Sequence, residues 1–280
     1  MKNKVSIITV VFNDVKNIEK SIKNTLCQTY SPLELIVVDG GSTDGTVDVI
    51  KKYSDKIQWI SEPDKGLYDA MNKGTMMATG EWVIFHNCGD FFLTKDSVRN
   101  FFNEYKEDKG EHFILGRTRD VEQYGYIDRI PNILSKSYFE AMPVCPPATF
   151  IRRSWMLKYP YDITYRNSAD YDFFVRSFII GAKYFYINQP LVLFDCTEGT
   201  TADHYDVTIK ENIEHLTLSG APKHSIAKWK KFLNHYKRVQ WMYDNLPLMK
   251  FIIDSRRRRK YKKEGWVPED PGFIFSNIDV

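Results

Sequence analysis

Between residue 5 and about residue 90 the chain alternates four apolar, β-branched runs with three stretches of helical periodicity. The runs are VSIITVVF, LELIVVD, KIQWI and EWVIF, the kind of strand that is covered on both faces. NIEKSIKNTLCQ, GTVDVIKKY and GLYDAMNKGTMMATG lie between them. Repeats of this β-α kind, joined by right-handed crossovers, predict a doubly wound α/β fold with a parallel sheet. Such sheets take ligands outside the carboxyl ends of their strands, so the residues just after each run are where chemistry is expected.

The 43% hydrophobic content of 280 residues is enough for a sizeable core. Residues 91–203 read as mixed structure: a helix (SVRNFFNEYKED), strands FILGRTRD and YGYIDRI, the CPPATFIRRS segment, a helix from Ser168 to Gly181, and paired strands KYFYIN and LVLFD. Residues 204–263 read as amphipathic helices, followed by a Pro/Gly-rich tail. The four cysteines (Cys27, Cys88, Cys145, Cys196) lie far apart without zinc spacing, and a reduced, cytoplasmic protein is the simplest account. The apolar run Val5–Phe12 is short and leads into Asn13-Asp14, unlike a secretory signal, and no run of about 18 apolar residues is present to span a membrane. Net charge is +3, yet residues 250–263 alone carry +7, leaving −4 for the remainder.

Asp39 ends the second run and opens GGSTDGT, where two glycines permit a tight turn and Ser42 or Thr43 can cap a helix beginning near Asp44. Asp39 capping its own loop is an equally good account. There is no P-loop, and TVVFND lacks the glycines that a dinucleotide-binding turn needs. In SEPDKGLYDAMNKG, Pro63 and Gly66 shape a loop before a helix on which Tyr68 and Asn72 share a face. Lys65 beside that helix start suits a phosphate, or is simply surface charge. EWVIFHNCGD places His86, Asn87, Cys88, Gly89 and Asp90 at a strand end; His86 is expected in the core or behind the site. In SADYDFFVR, Tyr171, Phe174, Val175 and Phe178 form a core stripe, and Asp172 four residues before Arg176 reads as a surface ion pair. Asp170 is left near the helix start, as an N-terminal cap or as a working carboxylate.

SIITVVFN, ELIVVDGGSTDGT, SEPDKGLYDAMNKG and GEWVIFHNCGD, in this order and spacing, resemble the GT-A fold family 2 glycosyltransferases over roughly residues 4–200. The likeness is greatest to the bacterial branch that builds capsule, exopolysaccharide and O-antigen chains. It implies a Rossmann-like, mostly parallel sheet in a domain at 1–203, with a nucleotide-binding half (1–90) and an acceptor half (91–203). Residues 204–280 would be a helical extension. The implied activity is inverting, metal-dependent transfer of a sugar from a nucleoside-diphosphate donor, UDP-linked by preference, to a hydroxyl of a growing, lipid-linked polysaccharide. Thr9, the backbone near Val11, and Asn13 would line the base pocket, with Asp39 bonding the base. Lys65, Asp69 and Asn72 would lie near ribose and diphosphate, and Asn87 near the donor. Asp90 would hold Mn²⁺ or Mg²⁺, and Asp170 would be the general base. Relatives carry arginine where this chain has Met71, an acid where it has Ala169, and His-Gln where it has Pro146-Pro147. DCTEGTTAD, with Glu198 and Thr200, resembles the loop that closes over the donor. The basic segment 250–263 has two readings, a solvated helix end or a peripheral contact with anionic membrane; nucleic acid is not expected. A catalytically silent nucleotide-sugar sensor or scaffold is the competing function.

Overall fold

A computed structural model describes residues 3–122, 125–134, 137–196 and 205–268. The first run, Val5–Val11 (β1), is buried at every position and forms the middle of the sheet. It pairs in parallel with Leu33–Asp39 (β2) on one side and Trp82–Phe85 (β4) on the other, and β2 pairs in parallel with Gln58–Ser61 (β3). The spatial order β3-β2-β1-β4 reverses between β1 and β4, which opens a crevice at their carboxyl ends. The crossovers are the helices Ile18–Leu26 (α1), Thr46–Lys51 (α2) and Leu67–Met77 (α3). Alternation splits the strands between two cores: Ile7, Trp82 and Ile84 pack with α1 through Ile18 and Ile22, while Ile8, Val38 and Val83 pack with α3 through Ala70 and Met71. Gly74 lets α3 lie directly on the sheet, since a Cβ there would sit 2.4 Å from Ile8 Cγ2.

The second half extends the same sheet. Thr149–Arg152 (β8) runs antiparallel to β4, and Phe113–Glu122 (β6) antiparallel to β8. Tyr184–Asp195 (β9) runs parallel to β6, the short Phe91–Phe92 (β5) pairs antiparallel with β9, and Gly125–Arg129 (β7) hangs from β6. Two reversals make β6 and β9 parallel to β4, so the carboxyl end of β9 joins the edge where Asp39 and Asp90 lie. The two strands expected over KYFYIN and LVLFD are in fact one. Pro190 sits mid-strand opposite Arg117, at a double shift in register, and the bulge there removes the need for an N–H that proline lacks.

The remaining helices are Ser97–Glu104 (α4), Arg153–Lys158 (α5), Ala169–Ile179 (α6), Tyr205–Leu218 (α7), Lys223–Asn245 (α8) and Pro247–Lys263 (α9). Helix α6 buries Tyr171, Phe174 and Val175 as its periodicity predicts. Helix α7 turns Ile209, Asn212, His215 and Leu216 inward. Beyond α9 the chain returns to β7, where Val267 and Tyr126 exchange two backbone hydrogen bonds and Trp266 is buried. All four cysteines are free thiols. Among the described residues no helix is long and apolar enough to cross a membrane.

Candidate active site

Asp39 is fully buried at the end of β2. Its Oδ2 accepts the N–H groups of Gly41 (3.0 Å) and Ser42 (2.9 Å) and the Ser61 hydroxyl (2.6 Å), so one oxygen caps the loop. The other, Oδ1, is buried with no partner among the described residues. A buried acceptor left bare costs about 1–3 kcal/mol, and what would satisfy it is a donor arriving from outside the chain. Phe12, directly after β1, is 64% exposed, and its ring edge would lie 3.3 Å from a Cβ on Gly40. The run VSIITVVF includes Phe12 as strand, but the strand ends at Val11 and leaves the ring exposed; an aromatic at the end of a buried run was the available signal.

Asn13 adopts φ 51°, donates its N–H to Ser42 Oγ (2.7 Å) and accepts the Thr43 N–H on Oδ1 (2.9 Å). Its side chain therefore ties the loop after β1 to the loop after β2. This also takes Ser42 away from the expected helix cap; Asp44 serves instead, accepting the Thr46 N–H at 3.0 Å. Thr9 is fully buried one pleat below the strand end, in register with Val37, and Oγ1 lacks a partner among the described residues. The Val11 carbonyl accepts the Gly40 N–H at 2.9 Å.

At the amino end of α3, Lys65 is exposed, while Asp69 accepts the Lys65 N–H (3.0 Å) and pairs with Lys73 (3.5 Å). Asn72 differs from the expected donor contact. Its amide donates to the Tyr161 carbonyl (2.9 Å) and accepts the Tyr161 N–H (3.1 Å), so both ends are spent on holding a neighbouring segment. Met71 is buried in the core. Tyr68, on the same face, donates its hydroxyl to Asp170 Oδ1 at 3.0 Å and packs on the Tyr161 ring.

After β4, His86 is fully buried and stacks on Phe92 with ring centroids 4.2 Å apart. Burial lowers its pKa to about 3, so the imidazole is neutral and belongs to the core. The turn that follows is closed by Asp90 itself: Asp90 Oδ2 accepts the Asn87 N–H (3.1 Å), and the Asn87 carbonyl accepts the Asp90 N–H (2.9 Å). Gly89 makes the turn possible with φ 98°. Asn87 Oδ1 is buried without a partner among the described residues. Burial pushes the Asp90 carboxyl up to about 8; the Asn87 N–H opposes this, and the nearby negative charge of Asp195 adds to it. Asp195 terminates β9 and was not singled out in the sequence, because only the finished sheet brings it beside Asp90. The Asp90 and Asp195 carboxyl groups, with the amide oxygen of Asn87 in the Asp90 turn, are hard-oxygen donors of the kind that Mg²⁺ or Mn²⁺ takes. Among the described residues no group of three or more His, Cys, Asp or Glu side chains converges on one point.

Asp170 is the second residue of α6 and half-buried. Oδ1 accepts the Tyr68 hydroxyl and the Tyr171 N–H (2.8 Å). Burial raises its pKa to about 6, opposed by these bonds and helped by the charge of Glu211. A carboxylate that ionises just below neutrality is well matched to accepting a proton. Asp172 corrects the surface-pair reading: it is 3% exposed, bonded by Arg176 (2.7 Å) and by His215 Nδ1 (2.5 Å) across the α6–α7 contact. Glu198 and Thr200 lie outside the described residues.

The sequence profile described as Glycosyl transferase family 2 matches residues 6–161. A PGL/p-HBAD biosynthesis glycosyltransferase of Mycobacterium bovis (strain BCG / Pasteur 1173P2) is 31% identical over 182 residues, 62% of this chain and 69% of that protein. Among solved structures, the mannosyltransferase PcManGT of Pyrobaculum calidifontis in complex with GDP-Man and Mn²⁺ aligns with a TM-score of 0.66 at 16% identity, over 94% of this chain and 82% of that one. S. aureus TarS 1-349 in complex with UDP aligns with a TM-score of 0.59 at 18% identity, over 76% of this chain. This chain spans 65% of that TarS fragment.

Proposed function

The chain belongs to glycosyl transferase family 2 and is a GT-A fold glycosyltransferase, and from that premise we propose that it moves one sugar, with inversion, from a UDP-linked donor to a hydroxyl of a growing surface polysaccharide. The observation that carries this reading is the placement of Asp170, buried enough to ionise near 6 and bonded by Tyr68 from the donor-side helix. In the proposed reaction the acceptor hydroxyl attacks the anomeric carbon and gives its proton to Asp170. The bond from that carbon to the diphosphate oxygen breaks, and the nucleoside diphosphate leaves from the opposite face.

Asp39 Oδ1 would accept the imide N–H of the uracil, with Phe12 under its ring. Lys65 and the amino end of α3 would face the diphosphate. Asp90, with Asp195 and the Asn87 amide oxygen, would hold Mn²⁺ or Mg²⁺. When bound, the ion neutralises charge gathering on the departing diphosphate. The acceptor is a lipid-linked glycan, with the basic segment 250–263 resting on anionic headgroups.

Turnover of a panel of UDP- and GDP-sugars with Mn²⁺, followed by release of the nucleoside diphosphate and by the anomeric configuration of the product, tests the reading. Asp170→Asn should abolish transfer while leaving UDP binding intact, and EDTA should stop turnover until Mn²⁺ is restored. Retained configuration, or full activity in Asp170→Asn, would overturn it.

A further inference from the structure

The loop that leads into Asp170 is held from outside. Ser168 is the N-cap residue of α6, but its hydroxyl makes no cap bond to that helix. Instead Glu211, from the middle of α7, accepts the Arg166 N–H (2.9 Å) on Oε1, and the Asn167 N–H (2.9 Å) and Ser168 hydroxyl (3.0 Å) on Oε2. Three donors immediately before Asp170 therefore converge on one carboxylate more than 40 residues downstream. Helix α7 is fixed against α6 by the buried Asp172–His215 pair and by Leu216, which packs with Tyr171 and Val175.

We propose that Glu211 is a positioning residue for the reaction: by capping residues 166–168 it fixes the first turn of α6, and with it the direction in which the Asp170 carboxylate points. This rests on Asp170 being the general base. Glu211 acts through the loop and never touches substrate. Its charge has a second effect, since it lies close enough to Asp170 to favour the protonated carboxyl. The titratable groups facing Asp170 are Tyr68 from α3, Tyr161 from the segment before α6, and Glu211 from α7. Of these, only Glu211 is a carboxylate. The helical extension is thus a working part of the transfer site, with the half-buried Glu211 side chain turned towards the 166–168 loop rather than to solvent.

Glu211→Gln separates this from a merely structural role. A glutamine keeps the length but offers one acceptor oxygen in place of two, and its NH₂ cannot receive an N–H. Without the charge, Asp170 should titrate below its wild-type midpoint, and the acid limb of kcat against pH should move down with it. Misaimed, the base should also lose up to about 100-fold in kcat, with the affinity for UDP plus Mn²⁺ unchanged. Glu214→Gln, which removes a charge from the exposed side of α7, should leave all three readouts alone. The midpoint is read independently of turnover by ¹³C NMR of the Asp170 carboxyl, identified by its loss in Asp170→Asn. If the wild-type chain turns over no nucleotide sugar, the proposed function has failed and the NMR midpoint alone decides on Glu211. A Glu211→Gln protein with an unmoved Asp170 midpoint, and with wild-type kcat wherever turnover is measurable, overturns the inference.

Discussion

Asp90→Asn isolates the electrostatic demand at the end of β4. In the metal-free protein burial holds this carboxyl at about 8, against an ordinary value of 3.8. Because the folded value is the higher one, the native state binds the proton more tightly than the unfolded chain does. The stability that this gives is complete below about pH 3.8 and is lost as the pH rises through 8. At about 1.36 kcal/mol per pH unit, the loss by pH 7.5 is about 5 kcal/mol. An asparagine keeps an oxygen for the Asn87 N–H and carries no charge for Asp195 to repel. Urea unfolding in EDTA should therefore show the variant and wild type nearly equal at pH 4. The variant should then grow more stable than wild type by up to that amount at pH 7.5. Adding Mn²⁺ and UDP should reverse the order: a cation replaces the proton in the wild-type site, and the variant has no carboxylate to offer. A stability difference that does not change with pH, or a variant that keeps the full Mn²⁺ response, would refute the reasoning.

Tyr68→Phe removes a hydrogen bond to the ionised form of Asp170, worth about 1.5–3 kcal/mol for a charged acceptor. The Asp170 midpoint should rise above about 6 and the acid limb of the rate profile should move up with it, the opposite of Glu211→Gln. Phe12→Ala should weaken UDP binding by about 1–3 kcal/mol, read by calorimetry, while leaving the melting temperature unchanged because the ring is 64% exposed. Asn72→Ala should do the reverse, costing about 1–3 kcal/mol of stability through the bare Tyr161 backbone groups while UDP affinity holds.

Much of the site lay open in the sequence because it is local. A run such as VSIITVV has to be a buried strand, and the polar residues that close or follow such a strand lie at the carboxyl edge of the sheet. That puts Asp39 and Asp90 on one edge, and helical periodicity leaves Asp170 apart from the core stripe of α6. Most of the differences are of pairing. Asn72 and Tyr68 share a face as their spacing requires, yet one spends its amide on Tyr161 and the other reaches Asp170, 102 residues away. Asp172 looked like half of a surface pair until α7 covered it with His215. Proline and glutamine in the middle of β9 read as a break, and only the pairing with β6 shows that β9 bulges there and continues as one strand.

Strand identity, strand direction and the carboxyl-edge location of the chemistry follow from short-range alternation, which each segment carries within itself. Which carboxylate stands beside Asp90, and which one steadies the approach to Asp170, depends on where β9 and α7 dock. Docking sums many weak apolar contacts between segments far apart in the chain, and no single stretch of sequence records that sum.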